Sequence, residues 1–198
     1  MSTTKQLTFW LNQKEVLNSN SMPGHFIVRG KMVQFLRELA ANEGMKNHLE
    51  EHQPIIEERL AALKADQDTL TKKTRLKKKL KKDLSLTTDD IDAIIAEQFN
   101  EPTALSSLPE APRLFEHFAM RVTVFPPSRR RLDPPNLYPS VKAIADGLTD
   151  ASWWRDDNFE HFLEISFRYG GLSGEKGKWK LVLDVTEIDD ISDFVTSA

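Results

Sequence analysis

Residues 129–157 read RRRLDPPNLYPSVKAIADGLTDASWWRDD. Pro134, Pro135 and Pro139 oppose a helix across the start of this stretch, since each ring fixes φ and pushes the residue before it towards extended geometry. Asp133 and Asn136 are therefore expected in a fixed turn. Val141, Ile144, Ala145 and Leu148 then fall at i, i+3, i+4, i+7, which predicts a helix with one apolar stripe turned to a core. Lys142, Asp146 and Asp150 stand four residues apart and form a second row along the edge of that stripe, where a row can line a cleft. Gly147 inside a helix costs roughly 1 kcal/mol relative to alanine, so its presence predicts close approach of another element. The helix should end near Asp150, with Trp153 and Trp154 anchoring the chain to the protein body. Asp156 and Asp157 follow, just before an alternating run.

The residue types in this stretch suit metal-assisted chemistry on a phosphodiester. A divalent ion that activates water takes hard carboxylate oxygens, and a polyanionic substrate needs cations beside them. Asp133, Asp146, Asp156 and Asp157 are candidates for the first role, and Arg129, Arg130 and Arg131 for the second. Each also has an ordinary use. Lys142, Asp146 and Asp150 can form an i, i+4 ionic stripe, Asp133 can serve the turn before the prolines, and Asp156 and Asp157 can cap.

The order of basic run, Asp-x-x-Asn turn, helix with Lys and then Asp four residues on, Trp and Asp-Asp pair resembles the RusA family of Holliday-junction resolvases. DPPNLYPSVKAIADGL is similar to a phage-type branch of that family. The strand expected over residues 7–11, the polar loop over 18–24 and a helix from about Arg29 are compatible with the family's opening segment. The resemblance implies an α+β fold, a RusA-like small mixed or antiparallel sheet with helices on one face. It implies a homodimeric, Mg²⁺-dependent endodeoxyribonuclease acting on branched DNA, with Mn²⁺ as the other candidate ion. By the same resemblance Asp133, Lys142, Asp146 and Asp157 are the catalytic set, and Asp133, Asp156, Asp157 and Asn136 the metal set. Pro135 stands where other members carry a second turn aspartate, so Asn136, Asp146 or Asp156 must supply that ligand. A chain that kept the fold and lost the chemistry would instead bind branched DNA without cutting it.

Working outward, residues 120–125, 163–167 and 179–185 alternate as half-buried strands do. The nuclease-like core is expected over 1–43 and 113–190, with 191–198 as a tail. Residues 44–112 are rich in Glu, Lys, Leu and Ala and predict an insertion of two or three helices. Its apolar positions are Leu49, Ile55, Ile56, Leu60 and Leu63, then Leu70, Leu76, Leu80 and Leu84. Thr87 and Thr88 before Asp90 read as a helix start, and residues 102–112 as a Pro-rich spacer. TKKTRLKKKLKK at 71–82 is a second basic patch, in which Lys77, Lys78 and Lys79 are candidates for phosphate contact. The insertion's leucine stripe also suits a protein partner.

The formal charge of the 198-residue chain is −3, so any contact with DNA must rely on local basic patches. A hydrophobic content of 39% is enough for a core. The chain has no cysteine, which excludes disulfides and thiolate zinc sites. No apolar run reaches the length of a membrane span and no signal-peptide pattern opens the chain, so a cytoplasmic protein of a bacterium or phage-infected host is expected. His25, His117 and His161 lack a ligand spacing and are read as non-catalytic.

Overall fold

The computed structural model describes residues 3–21, 24, 26–82, 86–99, 105, 108–129 and 132–189. They divide into two compact units, one up to Glu50 and again from Pro112, the other Glu51–Ala111. The expected tail 191–198 lies outside the described residues.

The first unit is α+β. Its strands are β1 (Thr4–Asn12), β2 (Phe118–Phe125), β3 (Phe162–Tyr169) and β4 (Lys178–Glu187), in the spatial order β1-β4-β2-β3. β4 runs antiparallel to both β1 and β2, and β3 runs parallel to β2, so the sheet is mixed. The parallel pair follows from the connection. Residues 126–161 carry a helix, and a crossover of that length brings the chain back in the same direction, where a tight turn would reverse it. All four strands extend beyond the runs expected from alternation, because backbone pairing continues past the last apolar side chain.

Strand alternation divides the sheet into two faces. Leu7, Phe9 and Leu11 on β1, Met120, Val122 and Val124 on β2, and Leu181, Leu183 and Val185 on β4 are all buried. The opposite face carries Thr8, Trp10, Arg121 and Arg168, all exposed, around the buried pair Thr123 and Val182.

Two helices belong to this unit, α1 (Phe26–Met45) and the crossover helix, and they pack against each other. Gly44, expected to open the insertion, belongs to this packing: a Cβ there would meet Ala151, Leu148 and Trp153 at 3.0 Å each. The chain therefore leaves the core only after α1 has ended.

The second unit holds α2 (Gln53–Leu80) and α3 (Thr88–Gln98). The apolar positions from Ile55 to Leu80 lie along the single helix α2, whose buried residues are Ile56 and Ala62, and Leu84 lies outside the described residues. Leu49 lies before it and, like Leu70, is mostly exposed. α3 begins as expected: Thr87 and Asp90 cap each other reciprocally, side chain to backbone N–H in both directions. Lys77 pairs with Asp92 at 2.6 Å, and Lys73 lies 5.4 Å from the Phe99 ring centroid, which joins α2 to α3. The described parts of the Pro-rich connection are tied down. Arg59 donates to the Pro109 carbonyl at 2.7 Å and Asp66 accepts from the Leu105 N–H at 3.3 Å.

Candidate functional site

The crossover helix, α4 (Tyr138–Asp150), starts directly after a 3₁₀ turn over Pro134–Leu137 whose N-cap is Asp133. The prolines do not prevent this start. Pro139 occupies the first helical turn, where an N–H has no intrahelical partner to lose. The Asn136 N–H donates to the Asp133 carbonyl at 3.0 Å, closing the turn. The turn is then fastened to the loop after β1: the Asn136 carbonyl accepts from the Ser19 N–H at 2.9 Å and from its hydroxyl at 3.0 Å. Ser140, fully buried, accepts from the Leu17 N–H at 2.7 Å and donates to the Leu17 carbonyl at 2.9 Å. Sequence reasoning passed over Ser140, although a serine one helical turn before Ile144 on the apolar stripe was the available signal.

Val141, Ile144, Ala145 and Leu148 are buried as their spacing predicts. Gly147 is the point of closest approach to α1, since a Cβ there would stand 2.2 Å from the Arg37 carbonyl oxygen and 2.8 Å from the Ala40 Cβ. No residue but glycine fits without moving backbone. Beside this contact the Arg37 guanidinium grips the Asp150 carboxylate with two N–H groups, Nη2 reaching Oδ1 at 2.6 Å. The hydrogen bond to Asp150 raises the Arg37 pKa against its burial, helped by the charges of Asp150, Asp146 and Asp157. Arg37 thus shares the field of the whole acidic group, and its role was not legible without knowing which helix packs on α4.

The end of α4 aims the residues that follow. Ser152 has φ of 60°, the left-handed conformation usually given to glycine. The Trp153 N–H donates to the Leu148 carbonyl at 3.0 Å and the Ser152 N–H to the Thr149 carbonyl at 2.9 Å, the hydrogen-bond pattern of a Schellman stop. Trp153 and Trp154 are both buried, as expected of anchors. Trp153 donates to the Gly44 carbonyl at 2.9 Å and Trp154 to the Thr149 hydroxyl at 2.6 Å, while the Trp154 ring stacks on Phe118 at 3.9 Å. Asp156 then folds the chain locally, one oxygen accepting from the Asp157 N–H at 2.8 Å and the other from Asn158 at 3.1 Å.

This turn brings Asp157 back to α4. The Lys142 ammonium donates both to Asp146, one turn along the helix, and to Asp157. Asp157 is the more enclosed carboxylate, with 15% of its side chain exposed against 27% for Asp146. Burial lowers the Lys142 pKa, but the hydrogen bonds and charges of the two aspartates outweigh it and leave the pKa raised. Lys142 is therefore charged at neutral pH. Two carboxylates converging on one cation form a hard-oxygen pair of the kind that suits Mg²⁺, which is commonly held by one or two carboxylates, with water and phosphate completing its shell.

The structure thus gathers Lys142, Asp146 and Asp157 and leaves other expected residues apart from them. Asp133 is exposed, and among the described residues its carboxylate has no hydrogen-bond partner. The Asn136 side-chain oxygen accepts from Ser19 at 3.3 Å, and both Asp156 oxygens are engaged in their own loop. No group of three or more Asp, Glu or His among the described residues is placed to hold a metal ion. Arg129 is exposed, whereas Arg130, Arg131 and His25 lie outside the described residues. Lys78 and Lys79 are exposed on α2, and Lys77 is paired with Asp92. The rings of His117 and His161 stack at 5.9 Å, and the Nδ1–H of each donates to a backbone carbonyl, that of Glu160 at 2.8 Å and that of Glu116 at 2.9 Å respectively. No helix among the described residues is long and apolar enough to cross a membrane. Comparison with protein-family models finds none that matches the chain, and a search of curated proteins finds no match either.

Proposed function

We propose that this chain is a Mg²⁺-dependent endodeoxyribonuclease of the RusA type, cutting four-way junctions or related branched DNA as a homodimer. The observation that carries the proposal is the convergence of Asp146 and Asp157, from separate elements, on the Lys142 ammonium. Asp146 and Asp157 would hold the metal ion, and Asp133 and Asn136, on the turn that leads into α4, are the candidates for further ligands. A bound divalent ion polarises a phosphate and lowers the pKa of an attacking water. Lys142 remains protonated and, released from one carboxylate, neutralises charge that develops on the scissile phosphate. Arg129, with Arg130 and Arg131, contacts the neighbouring backbone, and Lys78 and Lys79 offer further phosphate contacts. A dimer suits a symmetric junction that needs paired cuts.

The test is cleavage of a labelled synthetic four-way junction beside linear duplex, with Mg²⁺ or EDTA. Paired metal-dependent nicks near the branch are expected, lost in Asp157→Asn and Asp133→Asn while junction binding stays within about threefold. Cutting by both variants would remove the assignment. Tight junction binding with no cleavage under any divalent metal would leave the branched-DNA-binding reading, which Pro135 in place of an acid already favours.

A further inference from the structure

The sheet face that carries Trp10 holds an arrangement that the α4 site does not use. Lys180 on β4 lies opposite Trp10 on β1 and Phe125 on β2. Its ammonium stands 5.6 Å from the Trp10 ring centroid and 5.1 Å from that of Phe125, so one cation steadies two aromatic rings across three strands. Trp10 is 41% exposed, whereas Trp153, Trp154 and Trp179 are at 0%, 1% and 8%. A tryptophan left half in water on a rigid strand gains nothing for folding from its exposed part.

Charge on this face runs against that of the chain. Arg168, exposed on β3, donates to the Thr123 hydroxyl at 2.8 Å, and Arg121, also exposed, lies four residues from Phe125 along β2 with Asp184 opposite it on β4. Among the described residues none of Lys180, Arg121 and Arg168 is in an ion pair with a carboxylate. Two acids share the face, Glu164 and Asp184, and Asp184 accepts from Gln6 at 2.6 Å. Three cations outside any ion pair among the described residues, one of them at an accessible indole, in a chain of formal charge −3, complement a polyanion that also presents flat rings. A depression of about 390 Å³ extends the same face past Arg121 and Ser166.

We propose that this face binds a single-stranded polynucleotide segment, with an unpaired base stacked on Trp10 and phosphates near Lys180, Arg121 and Arg168. A duplex does not fit the requirement, because its bases are already stacked on each other, whereas every unpaired base offers a π-face to an aromatic side chain. The platform does not depend on cleavage or on a metal.

The experiment titrates the full chain with oligo(dT) of about 15 nucleotides, within the site sizes of single-strand-binding folds, in EDTA, while following tryptophan emission and its quenching by iodide. Trp10 is the exposed one of four tryptophans, so the signal reports on it. Oligo(dT) should quench emission and shield the iodide-accessible fraction. Trp10→Ala should weaken binding about tenfold and Trp10→Phe much less, as expected for stacking. Lys180→Gln should reduce the salt slope by about 0.7 if one phosphate contact is lost. The proposal is overturned if Trp10→Ala binds as tightly as the parent, if blunt duplex gives the same quenching, or if Trp10 becomes shielded with rising protein concentration alone, which would mark a contact between copies. Junction cleavage without quenching would remove the platform only, and quenching without cleavage would remove the nuclease reading only.

Discussion

Lys142 on α4 and Lys77 on α2 both meet an aspartate, in very different settings. Lys142 joins two carboxylates that lie 4 and 15 residues away, on a helix whose other side is buried. Lys77 meets Asp92 alone at 2.6 Å, on a helix of which Ile56 and Ala62 are the buried residues. The difference shows that charge becomes placed chemistry where packing leaves a side chain little freedom. An exposed pair on a solvated helix gains little and is readily replaced by water.

The strongest way to break this contrast is to unseat α4. Gly147→Val puts a branched side chain where a single Cβ already lies 2.2 Å from the Arg37 carbonyl. It should destabilise the first unit by about 3 kcal/mol, the upper part of the usual cost of overpacking. Urea unfolding followed by the buried tryptophans reads this as a lower midpoint at constant slope. An unmoved midpoint would mean that α1 does not press on α4 at Gly147.

Exchanging the two lysines sharpens the contrast directly. Lys142→Met leaves Asp146 and Asp157 facing each other and should cost about 1 kcal/mol, allowing for the lysine's partial exposure. Lys77→Met should stay within about 0.5 kcal/mol. Because the Lys142 pKa is raised in the folded state, its contribution is full below the ordinary lysine range. It is lost as pH rises through the folded value, so the gap between parent and Lys142→Met should narrow only in strong alkali. A gap that narrows between pH 5 and 8 would contradict the ion-pair account.

The most local effect concerns the capped start of α3 in the second unit. Thr87→Ala removes a cap contact and should weaken α3 by about 1 kcal/mol, visible as faster amide exchange at Asp90 and Ile91. The Thr87 hydroxyl and backbone N–H hold the Asp90 carboxyl below its usual pKa. The cap is therefore complete above the ordinary aspartate range and is lost as pH falls through the depressed value. Exchange at these amides that ignores acidification would show that Asp90 does not close the cap.

Much of α4 was legible because helix spacing is local. Val141, Ile144 and Leu148 faced the core, Gly147 marked a close approach, and Trp153 and Trp154 anchored the end, each as its side chain and spacing imply. The helical unit was harder to divide. Gly44 stands where the composition turns rich in Glu, Lys, Leu and Ala, which set the expected start of the insertion, yet it lies against Ala151 and Trp153. Ser152 gave no signal at all, since a serine in the left-handed region is an exception that the surrounding fold imposes.

By itself the sequence determined the periodicities: four strands, the amphipathic α4 with its row of Lys142, Asp146 and Asp150, and the Thr87 cap. These depend on residues within a few positions of each other and on backbone geometry that repeats every two or 3.6 residues. Beyond the local i, i+4 pair of Lys142 and Asp146, tertiary structure decided which charges meet. The row that looked continuous is divided, with Asp150 taken by Arg37 from α1 and Lys142 shared between Asp146 and Asp157. That division depends on the Gly147 contact and on the stop at Ser152, which place a helix and a turn distant in sequence on either flank of α4, and no spacing within one element encodes it.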